Sequence, residues 1–181
     1  MTATASPATG ATETVSQSLK QQWLDTYERE HAITMKVLRA FPADRADLQP
    51  HPRCRTARDL AWIFVVERML GQVVLNNGFA QGMPAGEMPK PPESFDALIE
   101  AYVMAHKEMG DMVRAMPDAK LTEHVKFFTG PRTMSDVRRI DFLWFLLSDE
   151  IHHRGQFSVY LRMADGKLPS IYGPTADEPW N

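Results

Sequence analysis

The sequence holds little that would brace or anchor a chain from outside its own core. Among its 181 residues there is one cysteine, Cys54, so no internal disulfide and no Cys-x-x-Cys pair can form. A chain without disulfides suits the cytosol, which is the expected compartment. No run of about 18 apolar residues occurs, so no membrane span is expected. Charge of one sign is lacking too: 20 Lys and Arg stand against 23 Asp and Glu, a formal net charge of -3. The basic residues are scattered rather than gathered in a stripe, so no nucleic-acid partner is expected. Met1 to Val15 contains no lysine, no arginine and no apolar block, which argues against a secretory or mitochondrial leader. This stretch is Ala, Thr, Ser, Pro, Gly and Glu; a disordered tail over 1–15 is expected, followed by one domain over 16–181. Signatures of common enzyme classes are also missing. There is no P-loop, no Gly-x-Gly-x-x-Gly, no Gly-x-Ser-x-Gly and no His-Glu-x-x-His.

What is present is helical periodicity. The first helix is expected from about Ser16 to Phe41, with Leu24, Tyr27, Met35 and Leu38 on its apolar line and His31 inside it. A Pro- and Asp-rich loop follows, Ala43 to Arg55. Thr56 and Asp59 resemble a capping box opening helix two. The stripe of that helix is Leu60, Ile63, Glu67, Leu70 and Val74, and it ends near Asn76-Asn77-Gly78. A long loop, Gly78 to Glu93, is rich in Gly and Pro. Helix three is expected to start at an N-cap at Ser94 and to stop before Pro117, along Phe95, Leu98, Tyr102, His106, Met109, Val113 and Met116. Residues Pro117 to Met134 read as a loop, and helix four is expected from an N-cap at Ser135 to Ala164. The tail from Gly166 is expected to pack as a strap through Ile171, Tyr172 and Trp180. No alternating strand pattern stands out. The fold class this implies is all-α, a four-helix bundle.

At about 100° per residue, Phe142, Leu146, Asp149, His153, Gln156 and Tyr160 fall within roughly 40° of one line. That places Asp149 and His153 on a core-facing stripe, one turn apart. Glu67 holds the equivalent place on helix two. A buried charge must be paired, hydrogen-bonded or bound to a metal, so two readings follow. Glu67, Asp149 and His153 hold a divalent ion, as helical bundles commonly do, or they satisfy one another. His31 and His106 read as hydrogen-bonded core histidines. Glu150 and Arg154 read as an i, i+4 ion pair on a flanking face, and His152 as a rim residue.

The segment His152-His153-Arg154-Gly155-Gln156, with Tyr160-Leu161-Arg162, Gly166, Pro169 and Ile171-Tyr172-Gly173-Pro174, resembles the C-terminal half of DinB/YfiT-like proteins. Thr56-Ala57-Arg58-Asp59-Leu60-Ala61-Trp62 resembles the second helix of the same family. The resemblance implies an up-down-down-up bundle, often a homodimer, with nickel or zinc held by three histidines. It also implies thiol-dependent transferase or isomerase chemistry in the characterised relatives. His153 matches the last of the three histidines. Asp149 stands where the preceding one falls, and Ile63 where the helix-two histidine falls. Isoleucine cannot bind a metal; Glu67, one turn further on, supplies a donor instead. The function expected is a metal-dependent thiol transferase or hydrolase with a modified site, and the alternative is a metal-free dimeric binding module.

Overall fold

The structure is a computed structural model that describes residues 17–82 and 86–180; the tail expected over 1–15 lies outside the described residues. Four long helices carry the fold: α1 (Leu19–Ala40), α2 (Ala57–Leu75), α3 (Phe95–Ala115) and α5 (Arg139–Met163). Between α3 and α5 lie a short helix α4 (Asp118–Thr122) and a hairpin of β1 (His124–Gly130) and β2 (Thr133–Arg138). Three helix starts are fixed by side chains that accept an orphan backbone N–H. Ser18 accepts from Gln21, Thr56 from Asp59 at 3.1 Å, and Ser94 from Ala97. At the ends of α2 and α5 the chain turns through Asn77 (φ 57°) and Asp165 (φ 60°). Gly78 N–H then reaches Val73 O, and Gly166 N–H reaches Leu161 O. Both are helix stops in which a left-handed residue returns two N–H groups to the last carbonyls.

The hairpin corrects the expectation of a loop leading into a helix at Ser135. Ser135 sits in β2 opposite Phe127, and α5 starts four residues later, at Arg139. Met134 and Val137 are three apart, a spacing that fits a helix as readily as an irregular edge strand. A register shift between Phe128 and Gly130 further blurs the two-residue alternation. Phe127 of β1 packs edge-on against Phe142 of α5 at 4.6 Å, which seats the hairpin on the bundle.

Contacts fix the directions. Leu19 and Ile140 share one small cavity while Phe41 meets Phe157 at the other end, so α1 and α5 run parallel. Phe64 packs on Tyr102, and Gly71 lies against Met109, so α2 and α3 also run parallel. Phe41 against Phe95 and Tyr27 against His106 make α1 and α3 antiparallel. Phe64 against Phe157 and Arg139 against Leu75 do the same for α2 and α5. The order is up-down-down-up, as the family resemblance implied.

The apolar core is split in two. One half gathers Leu38, Phe41, Phe64, Leu98, Phe157 and Leu161. The other gathers Trp23, Tyr27, Val74, Met109, Leu143 and Leu147. Between them, at mid-height, lies a layer of buried polar side chains. Glu150 is fully buried and accepts from Arg68, from Tyr102 OH at 2.5 Å and from Thr34 Oγ1 at 2.8 Å. Arg154 donates to Glu30 Oε2 at 2.7 Å and to Thr34 Oγ1 at 3.2 Å. The Thr34 hydroxyl thus joins two balanced ion pairs. Glu150 and Arg154 therefore do not form the flanking-face pair expected of them. They lie at the centre of the bundle and take their partners from α1, α2 and α3. The charges are tolerable there because each is both paired and hydrogen-bonded.

The C-terminal strap reaches the same layer. Ile171 packs on the core, and Tyr172 OH donates to Glu30 Oε2 at 2.5 Å and accepts from Arg154. Trp180, expected to pack, is exposed.

Candidate functional site

The mid-height layer has two edges, and the sequence placed candidates on both. On the α1–α3 edge, His31 and His106 stack face to face at 3.6 Å, with Tyr27 stacked on the other side of His106 at 4.1 Å. His106 Nε2 lies 3.0 Å from Glu28 Oε2. Burial lowers the affinity of both imidazoles for a proton, His31 to a pKa of about 4. Neither histidine joins the group of donors on the opposite edge.

On the α2–α5 edge, Glu67, Asp149 and His153 come together. One ligand atom from each lies within 4.8 Å of the others, and among the described residues no other group of three does so. The placement follows from helix geometry. Asp149 and His153 are i, i+4 on α5 and project on one side, while Glu67 comes from the antiparallel α2 facing them. His153 Nδ1 lies 2.8 Å from Glu67 Oε1 and 3.7 Å from Asp149 Oδ1. Glu67 is buried, and His153 and Asp149 are partly open, with side chains 17% and 35% exposed. The site therefore has a dry floor and a wet mouth.

Burial pushes the Glu67 carboxyl up to about 7, against the pull of the His153 hydrogen bond and of Arg68. The same hydrogen bond to Glu67 raises the His153 imidazole above its ordinary value, opposed by its partial burial. Both shifts favour a proton on the Glu67–His153 pair. The second oxygen, Glu67 Oε2, is buried with no hydrogen-bond partner, and the Arg68 guanidinium stands 3.7 Å away. A desolvated carboxylate oxygen without a partner is costly, and a cation is one way to satisfy it. Two carboxylates and an imidazole are compatible with a divalent metal such as zinc, nickel, iron or manganese.

Beside His153 a cleft of about 540 Å³ opens at the N-terminal end of α2, lined by Cys54, Arg55, Ile63, Gln156 and Tyr160 among others. Its size suits a small molecule. Ile63 forms part of this wall, at the position where the resemblance implied a histidine. Gln156, expected on the core stripe, is exposed at the rim and pairs with His152 at 2.9 Å. Periodicity singled out none of the cleft's loop residues. The available signal was local: Cys54 and Arg55 directly precede the cap of the helix that carries Glu67. No helix among the described residues is long and apolar enough to cross a membrane.

Comparison with known proteins converges on one family. The family model described as "DinB family" matches residues 14–180. A Bacillus subtilis (strain 168) relative, "Uncharacterized protein YrdA", is 26% identical over 160 residues, which is 86% of this chain and 89% of that one. A DinB-like protein from Bacillus cereus ATCC 10987 superposes with a TM-score of 0.67 at 22% identity, covering 83% of this chain and 95% of its own. A second, YjoA from Bacillus subtilis, gives 0.62 at 15% identity, with 83% and 97% covered. At such identities these two structures speak for the fold alone.

Proposed function

The chain belongs to the DinB family, and from that premise we propose that Glu67, Asp149 and His153 hold one divalent cation at the head of the cleft and that the protein is a metal-dependent enzyme. The observation that carries this is the buried Glu67 oxygen that has no hydrogen-bond partner, only the Arg68 charge 3.7 Å away, within reach of two further donors on the facing helix. A divalent ion there would supply Lewis acidity to a water or thiol. The chain's own contribution is orientation and exclusion of water. α5 fixes Asp149 and His153 one turn apart, α2 brings Glu67 from behind, and Ile63 keeps one flank apolar. The proton on the Glu67–His153 pair must leave when the ion enters, so uptake strengthens as pH rises. The family resemblance favours nickel or zinc, a thiol co-substrate and a homodimer with each site in one domain spanning 16–181.

A second reading rests on the same 2.8 Å contact. If Glu67 and His153 are content with each other, the pocket is a metal-free binding module. Elemental analysis of protein purified without an affinity tag, after exposure to nickel and zinc, separates the two. The metal reading expects about one ion per chain, reduced at least tenfold in affinity by Asp149→Asn or His153→Ala. Fewer than about 0.1 ions per chain in the native protein would refute it.

A further inference from the structure

We propose that Arg55 is the docking group for a substrate carboxylate, so that the cleft takes an organic acid with an apolar body. The reasoning starts from charge. The lining of the 540 Å³ cleft contains no aspartate or glutamate, and Arg55 is its one permanent charge. The arginines of α2 and α5, the helices beside the cleft, are engaged. Arg58 bonds Asp47 at 2.9 Å, Arg68 is held by Glu150, and Arg154 by Glu30. Arg55 forms no ion pair with any described residue within 4.0 Å, although it stands only three residues before Arg58, which lies in the first turn of α2. Its backbone is nevertheless held: Tyr160 OH donates to Arg55 O at 3.0 Å, tying the segment to α5.

A planar guanidinium left free in a cleft matches a carboxylate through two parallel N–H···O bonds. The first turn of α2, immediately after Arg55, adds the positive end of a 19-residue helix. Leu60, Ile63 and Val159 give the lining an apolar flank beside the Tyr160 ring, while His153 and Gln156 supply further polar groups. Arg55 and Ile63 also line a second cleft of about 310 Å³, walled by Trp62, Met88 and Pro89. The two spaces share Arg55 and Ile63, giving one groove with the Arg55 cation where they join; the second space also carries Lys90. Asp59, at the edge of the second space, is engaged by the Thr56 hydroxyl at 2.8 Å. His153 lines the first space with Arg55, so a molecule anchored by its carboxylate lays its body toward the triad. This rests on the triad's being the reacting end.

The test uses the full chain and two dyes of related shape, the anionic anilinonaphthalene sulfonate and the neutral N-phenylnaphthylamine, with octanoate, octyl phosphate and octanol as competitors. The wild type is expected to bind both dyes saturably, and octanoate to displace them better than octanol. Arg55→Met should weaken the anionic dye and octanoate by about tenfold or more and leave the neutral dye within about twofold. Arg55→Lys should recover only part of the loss, because an ammonium lacks the fork. Absence of saturable dye binding, equal octanoate affinity in Arg55→Met, or octyl phosphate outranking octanoate would each overturn the proposal. Running the series in EDTA and in His153→Ala keeps it separate from the metal reading. Octanoate binding that survives both supports Arg55 whatever the ion content. Binding lost in His153→Ala but kept in Arg55→Met moves the carboxylate to the triad and overturns the assignment.

Discussion

Removing one side of the Arg68–Glu150 pair should cost more than removing both. Glu150 is fully buried and Arg68 is 1% exposed, so neither charge can turn to water. Arg68→Met leaves Glu150 with the Tyr102 and Thr34 hydrogen bonds but no counter-charge; Glu150→Met leaves a guanidinium in the core. Breaking a buried pair from one side costs about 3–5 kcal/mol. For a chain of this length that is a fall in Tm of roughly 6–20 °C. The double variant replaces both charges by flexible apolar side chains of fair size, so the two losses should not add. An interaction energy of about 2–3 kcal/mol in the double-mutant cycle is expected. The assay is urea unfolding followed by circular dichroism, with the m-value checked for constancy. Tyr102→Phe removes the 2.5 Å bond to Glu150 and the 3.4 Å bond accepted from Arg68 and gives a gentler reading of the same centre, about 1.5–3 kcal/mol. Losses that add to within about 0.5 kcal/mol would refute the reasoning, because independent sites add. The cycle should also change with acid. Burial works against the Glu150 charge, but Arg68 and the hydrogen bonds from Tyr102 and Thr34 hold its carboxyl below the ordinary value. The pair's contribution is thus complete above the ordinary carboxylate range and fades as pH falls below it.

His31 should impose its own acid limit. Burial and the facing His106 lower its pKa from 6.5 to about 4. The unfolded chain therefore takes the proton first, so stability from the neutral stack is complete above 6.5 and is lost as pH falls toward 4. His31→Phe should flatten the stability difference across that window in parallel urea titrations; an unchanged slope would remove His31 as the cause. Two glycines of α5 and its stop should respond in opposite senses in thermal melts. A Cβ at Gly166 would fall 2.2 Å from Leu161 Cδ1 and 3.2 Å from Ala40 O, so Gly166→Ala should lose about 1–3 kcal/mol. A Cβ at Gly155 meets nothing within 4 Å, so Gly155→Ala should gain up to about 1 kcal/mol from helix propensity.

How much of this the chain discloses depends on whether partners are local. On α3, Leu98, Tyr102, His106, Met109 and Val113 are all buried as their spacing says, because one face of that helix does all the packing. Helix α5 is buried across a broader arc. Its line through Phe142, Leu146 and Tyr160 is genuine, but a second line, Leu143, Leu147, Glu150, Arg154, Phe157 and Leu161, lies closer to the axis of the bundle. Nothing in the spacing of Glu150 and Arg154 separates a surface pair from two core charges. That decision rests with Arg68 and Glu30, some 80 and 120 residues away along the chain. The triad was legible because two of its members share a helix turn and the third interrupts an apolar stripe. Arg55 was not, since a loop residue belongs to no period. The hairpin was hidden because the apolar residues of β2, Met134 and Val137, sit three apart.

The parallel course of α2 and α3 has a price in chain length that becomes an asset. After α2 ends, the polypeptide must travel back along the bundle before α3 can begin, and that return leg has to lie against something. It lies beside α2, where Trp62 Nε1 donates to Pro89 O at 2.6 Å. The outer bank of the groove is thus supplied by helix order rather than by an added element. Met88 and Pro89, exposed on that bank, take no part in the mid-height charge layer, so they can vary without disturbing it. The outer bank of the groove and the charge layer at the bundle's centre are thus written in different stretches of sequence.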